Sequence, residues 1–123
     1  MSPDRLQALL VEDHADSLEF LTALLDAWGC EVRGCSSAQD ALDLLDTWAP
    51  QVLITDINMP GMDGRELARR VRSAHGQQVV IVAVSGEGFN RGPQRDDDEF
   101  FDHYFAKPID LDGLGKLLGV DTR

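Results

Sequence analysis

Three carboxylates, one hydroxyl and one ammonium stand where apolar runs end, and together their types suit metal-assisted phosphoryl chemistry. Leu9-Leu10-Val11 runs into Glu12-Asp13, Val52-Leu53-Ile54-Thr55 runs into Asp56, Val79 to Val84 runs into Ser85-Gly86, and Tyr104-Phe105-Ala106 runs into Lys107-Pro108. If these runs are parallel neighbours in one sheet, their ends meet in a single crevice. Glu12, Asp13 and Asp56 would repel one another there, and a hard divalent cation is the simplest relief. Mg²⁺ keeps several waters and takes one or two carboxylates plus phosphate oxygens, which fits this donor set better than a softer metal. A carboxylate can attack phosphorus to form an acyl phosphate, and Asp56 is the candidate nucleophile. Lys107 would then pair with one phosphoryl oxygen as a point charge, and Ser85 would donate its hydroxyl to another.

The elements that must position these groups are legible as an alternation. Leu6 to Val11 reads as a central strand. Leu18, Leu21, Leu24, Leu25 and Trp28, spaced by three and four, form the stripe of a helix that Gly29 stops. Glu31 to Gly34 is less apolar and reads as an edge strand. Ser37-Ala38-Gln39-Asp40 opens a second helix in the manner of a capping box, with Ala38, Ala41, Leu42, Leu45 and Trp48 inside and Pro50 at its end. The Asp56 strand follows, cut off by Pro60, Gly61 and Gly64. Leu67, Ala68, Val71 and Ala74 mark a third helix, with Arg65, Arg69, Arg70 and Arg72 on its wet side. Strand and helix alternating at this period mean βαβ units and a parallel sheet. Asp110 to Leu118 can form a last short helix capped by Asp110, with Gly113 and Gly115 each weakening it by about 1 kcal/mol relative to Ala.

Four motifs in order carry a resemblance: the acid pair Glu12-Asp13, the loop Asp56-Ile57-Asn58-Met59-Pro60-Gly61-Met62-Asp63-Gly64, Ser85 followed by a small residue, and Lys107-Pro108. Over nearly its whole length the chain resembles a response regulator receiver domain, the CheY-like phosphoacceptor module of two-component signalling. The resemblance implies a flavodoxin-like (βα)5 fold with a doubly wound parallel sheet in strand order 2-1-3-4-5. It implies that Asp56 is the phosphoacceptor, that Asp13 and Asp56 ligate Mg²⁺ directly, that Asn58 offers its backbone carbonyl, and that Glu12 acts through water. It also implies a cis peptide bond before Pro108 and a switch in which Ser85 moves toward the phosphoryl group and Tyr104 fills the space it leaves. Asn58 and Glu87 are similar to the positions that tune phosphoryl lifetime in chemotaxis-type receivers.

One stretch departs from the family pattern. Between residues 86 and 101 stand Gly86, Gly88, Gly92, Pro93 and the run Asp96-Asp97-Asp98-Glu99, where the family has a helix with an Ala-rich inner face. Adjacent Asp residues are poor helix formers and cannot be buried unpaired, so the expected fourth helix is short, displaced or partly disordered. That helix belongs to the usual output surface of the family, so the usual partners and dimer mode are in question for this chain.

At 123 residues the chain has room for one domain, expected to span residues 1–123 with no output domain within it. An apolar content of 43% speaks for a folded globule. No window of about 18 apolar residues and no signal-like start is present, so the expectation is a soluble, cytoplasmic protein without membrane contact. The formal charge of −11, with 11 scattered Lys and Arg, speaks against direct nucleic-acid binding and suits a divalent cation or a basic partner surface. Cys30 and Cys35 lack metal spacing and read as small buried hydrophobes in a reducing compartment. His14, His75 and His103 form no metal or catalytic set by spacing, so the phosphodonor histidine must sit on a partner, a sensor histidine kinase or a histidine phosphotransfer protein.

Other classes fare worse. A haloacid dehalogenase-type phosphatase wants a second Asp two residues after the nucleophile, where this chain has Asn58. A Walker B reading of Val52 to Asp56 lacks its Gly-Lys-Ser/Thr loop. The alternative that keeps the fold is a phosphorylation-independent adaptor, with Asp96 to Glu99 as its recognition feature. The reading is therefore a signalling domain that accepts a phosphoryl group, switches its surface for a downstream output protein or attached domain, and dephosphorylates itself, rather than a turnover enzyme. Asp110-Leu111-Asp112 resembles receivers attached to hybrid kinases, so a domain of a longer protein and a stand-alone regulator both remain open.

Overall fold

The computed structural model describes residues 5–86 and 100–120. Its elements alternate as the apolar periodicity requires: β1 (Gln7–Val11), α1 (Ala15–Ala27), β2 (Glu31–Cys35), α2 (Ala38–Leu45), β3 (Val52–Asp56), α3 (Gly64–His75), a 3-10 turn (Gly76–Gln78), β4 (Val80–Ser85), β5 (His103–Ala106) and α4 (Leu111–Leu118). All strands are parallel, in the order β2-β1-β3-β4-β5, the 2-1-3-4-5 order implied by the resemblance. Residues 87–99, where the irregular fourth helix was expected, lie outside the described residues, and so does Glu87.

The side-chain period of two in each strand splits the apolar residues between two cores. Leu9, Val11, Leu53, Ile81 and Ala83 face α2 and α3, packing on Ala38, Ala41, Leu45, Leu67, Ala68 and Val71. Ala8, Leu10, Val52, Ile54, Val82 and Val84 face α1 and α4, packing on Leu21, Leu25 and Leu114. Each such Leu or Ile contributes about 1.5–3 kcal/mol on leaving water. β3 is buried throughout and holds the sheet's centre, as its unbroken apolar run demands.

Local chemistry sets the helix ends. Ser37 Oγ accepts from the Asp40 N–H at 3.1 Å, so the capping reading of α2 holds. Asp63 does the same for α3, its Oδ1 accepting from the Glu66 N–H at 3.0 Å. Asp110 occupies the cap position of α4, yet its side chain makes no capping bond. Its carboxylate lies instead over Gly113, where an added Cβ would come within 2.8 Å of Asp110 Oδ2.

Three further expectations need correction. α2 ends at Leu45, so Trp48 lies beyond the helix; it packs half-buried on the α2/α3 core with the Arg33 guanidinium 4.4 Å above its ring. Ala74 is exposed, because the last turn of α3 stands off from α2 across a groove of about 170 Å³. Arg72 is not on the wet side of α3: its side chain is only 11% exposed and binds backbone carbonyls. Arg69 and Arg70 do lie in solvent, both paired with Glu66.

Candidate functional site

Parallel pairing brings the polar ends of four strands to one edge of the sheet. The register pairs Val11 with Thr55, Asp56 with Val84 and Ser85 with Ala106, so Glu12, Asp56, Ser85 and Lys107 project from the same end. Backbone bonds continue the ladder past the strands: Ile57 N–H donates to Val84 O at 3.0 Å and Lys107 N–H to Ser85 O at 2.9 Å. The Lys107–Pro108 peptide bond is cis.

Lys107 Nζ is the centre of the charge arrangement. It donates to Asp56 Oδ2 at 2.9 Å and to Glu12 Oε1 at 3.2 Å. Asp56 is 5% exposed and Glu12 3%, so both carboxylates are nearly out of water. Burial pushes the Asp56 carboxyl above its ordinary range, the Lys107 ammonium pulls it back, and the charges of Glu12 and Asp13 raise it further. Burial also acts to raise Glu12, but the His14 backbone N–H and Lys107 outweigh it and hold that carboxyl low. Lys107 itself is shifted up: desolvation opposes its charge, and Asp56 and Glu12 more than compensate.

Glu12, Asp13, His14 and Asp56 each offer one ligand atom, all within 4.8 Å of one another. Asp13 Oδ1 is buried without a hydrogen-bond partner among the described residues, a costly placement for a carboxylate oxygen. Two of the three carboxylates share one ammonium, and an oxygen of the third, Asp13, has no hydrogen-bond partner among the described residues. That donor set fits a hard divalent cation, which Glu12, Asp13 and Asp56 could hold.

The other expected site residues fall around this centre. Ser85 is buried at the end of β4. Tyr104 is half-buried on β5, its ring edge-to-face with Phe101 at 5.8 Å. Asn58 is exposed in the loop two residues after Asp56.

His14 is the residue that spacing alone missed. Its N–H donates to Glu12 Oε2 at 3.0 Å, and its Nδ1 lies 3.2 Å from the same oxygen. The signal was adjacency to the acid pair rather than any histidine pattern. Gly64 is a second such residue, serving as more than a loop breaker. A Cβ there would lie 2.4 Å from the Asp56 carbonyl oxygen and 2.8 Å from Ile57 Cα, so glycine lets the start of α3 press against the backbone that carries Asp56. Beside Lys107 a groove of about 310 Å³ is floored by Phe20, Pro108, Ile109 and Leu111.

Comparison with known proteins gives a consistent outcome. Residues 8–118 match the family described as response regulator receiver domain. The chain is 31% identical over 119 residues to a sensor histidine kinase, RcsC of Salmonella typhi, covering 97% of this chain and 12% of that protein. It is 37% identical to the virulence sensor protein BvgS of Bordetella bronchiseptica, covering 92% of this chain and 10% of that protein. The chain thus spans only about a tenth of the length of these relatives. A solved CheY-like receiver domain from Methylobacillus flagellatus superposes with a TM-score of 0.83 at 32% identity, covering 94% of this chain and 98% of that one. Among the described residues no helix is long and apolar enough to cross a membrane.

Proposed function

Because the chain belongs to the response regulator receiver domain family, we propose that it takes a phosphoryl group from a phosphohistidine onto Asp56. The observation that carries this reading is the Lys107 ammonium seated between the buried carboxylates of Asp56 and Glu12, with an unsatisfied Asp13 oxygen beside them. In the transfer an Asp56 oxygen attacks phosphorus, the P–N bond to the donor imidazole breaks, and the freed imidazole takes up a proton. Asp13, Asp56 and the Asn58 carbonyl are the residues that would hold Mg²⁺, with Glu12 acting through water. The bound cation would neutralise charge on the phosphoryl oxygens.

The chain's own groups do the rest. Lys107 pairs with a phosphoryl oxygen while remaining tethered by Glu12, and Ser85 donates its hydroxyl to another. The displacement of Ser85 toward the phosphoryl group, with Tyr104 following, is the proposed switch. Asn58 and Glu87 are the proposed lifetime-tuning pair for autodephosphorylation. The donor is a sensor histidine kinase or a histidine phosphotransfer protein, and the reader of the switch is an output protein or an attached domain. Residues 1–123 act as one receiver unit in the cytoplasm, without direct nucleic-acid binding.

The test is intact mass after incubation with Mg²⁺ and acetyl phosphate. The wild-type chain should gain one phosphoryl group, and Asp56→Asn or a metal-free sample should gain none. A wild-type chain that neither gains phosphate nor binds beryllofluoride, the stable phosphoryl mimic, would refute the reading and favour the phosphorylation-independent adaptor.

A further inference from the structure

Arg72 sits at the end of α3 farthest from the acids, yet it touches the strand that delivers Lys107. Its Nη1 donates to Gly76 O at 2.8 Å and Val79 O at 2.7 Å, while Nη2 donates to Phe100 O at 3.0 Å and to Asp102 Oδ2 at 2.7 Å. Asp102 then grips β4 twice: its Oδ2 accepts from the Ile81 N–H at 2.8 Å, and its own N–H donates to Ile81 O at 2.7 Å. One planar guanidinium therefore fastens the connection before β4 and the residues just before β5 to each other.

The strand so fastened is short: β5 is four residues long, stands at the sheet edge, and among the described residues pairs only with β4. A slip of one residue would exchange its faces. Tyr104, packed against the α2/α3 core, and Phe105, packed against the α1/α4 core, would trade places. Lys107, five residues after Asp102 and about 17 Å along the extended chain, would no longer reach Asp56. The other end of α3 is tied as well, because Gly64 N–H donates to Ile57 O at 2.8 Å, one residue past Asp56. α3 is thus a strut between the strand bearing the acceptor carboxylate and the start of the strand bearing the ammonium.

We propose that Arg72, acting through Asp102, is a positioning residue that sets the register of β5 and so places Lys107 on Asp56. The proposal rests on the phosphoacceptor reading of that site.

The test uses the full chain and its Arg72→Ala, Arg72→Lys and Lys107→Ala variants, each first shown to be folded by circular dichroism. Arg72→Ala should weaken beryllofluoride binding on the order of tenfold or more while changing Mg²⁺ affinity by less than about twofold, since none of the acids lies on β5. Arg72→Lys, which keeps the charge and loses the fork, should fall between it and the wild type. Added to Lys107→Ala, the Arg72→Ala change should cause no further weakening, because the contact it positions is already gone. Amide hydrogen exchange gives an arm independent of phosphoryl chemistry: the Lys107 N–H should exchange at least about tenfold faster in Arg72→Ala, with β1 and β3 amides unchanged. Unchanged Lys107 exchange in a folded variant, or fully additive losses in the Lys107→Ala background, would overturn the proposal. A wild-type chain that takes up no beryllofluoride would instead remove the phosphoacceptor reading, and the exchange result would still decide whether Arg72 holds β5.

Discussion

Asp56→Asn should make the metal-free protein more stable. The Asp56 carboxylate lies within 4.8 Å of ligand atoms of Glu12 and Asp13 and 2.9 Å from Lys107 Nζ. At an effective dielectric of about 20, each like-charge pair at that separation costs about 3.5 kcal/mol, and the lysine returns about 6. Repulsion and attraction nearly cancel, so the desolvation of a carboxylate that is 5% exposed decides the sign, in agreement with its upward shift. Asparagine keeps an acceptor for Lys107 and removes the charge, for a gain of about 1–2 kcal/mol. In a 123-residue chain that corresponds to a rise of about 4–8 °C in Tm. The assay is thermal melting at pH 8 in EDTA. Since the folded-state carboxyl is shifted up, its ionised form is the destabilising one: the gap should vanish below about pH 4, where both states are protonated, and open as pH rises. Mg²⁺ at about a hundredfold excess over its wild-type Kd should stabilise the wild type by about 2.7 kcal/mol, more than the gap, and so reverse the order if the variant has lost the cation. A variant that melts at or below the wild type in EDTA at pH 8 would refute the balance of charges described here.

Other outcomes follow from single contacts. Gly64→Ala forces a Cβ to within 2.4 Å of the Asp56 carbonyl, so it should cost about 1–3 kcal/mol in urea unfolding and slow phosphoryl uptake through the displaced Asp56 backbone. Ser37→Ala removes the cap bond of α2 and should cost about 1 kcal/mol with phosphoryl uptake unchanged. Burial pushes the Cys30 and Cys35 thiols up, so at pH 7 the native chain should react with an aromatic disulfide reagent far more slowly than the urea-unfolded chain. Equal rates in the two states would show that the thiols are not protected.

Legibility in the sequence was uneven for physical reasons. Residues at strand ends were readable because a polar group closing an apolar run has few structural reasons to be there: Glu12, Asp13, Asp56, Ser85 and Lys107 all come to one edge. The cores were readable because periods of two and 3.6 are imposed by backbone geometry. Arg72 was not, since helical phase locates its Cα and not the end of a long flexible stem, which here turns back to the carbonyls past the helix end. Trp48 was misplaced because its spacing fits α2, but the helix stops at Leu45 and the ring reaches the core from the following turn. His14 was set aside with the other histidines because its contact with Glu12 depends on how the chain turns after β1. Neither pattern nor propensity encodes that turn.

Among the described residues the sheet separates two sets of apolar side chains that share no residue. Substitutions on opposite faces should therefore act nearly independently, and each face can drift at its own pace provided volume is kept. The polar edge is set by where four of the strands end, with Gly64 of α3 pressed against the backbone that carries Asp56. A lineage can rewrite one core, then the other, and keep the same five groups in place.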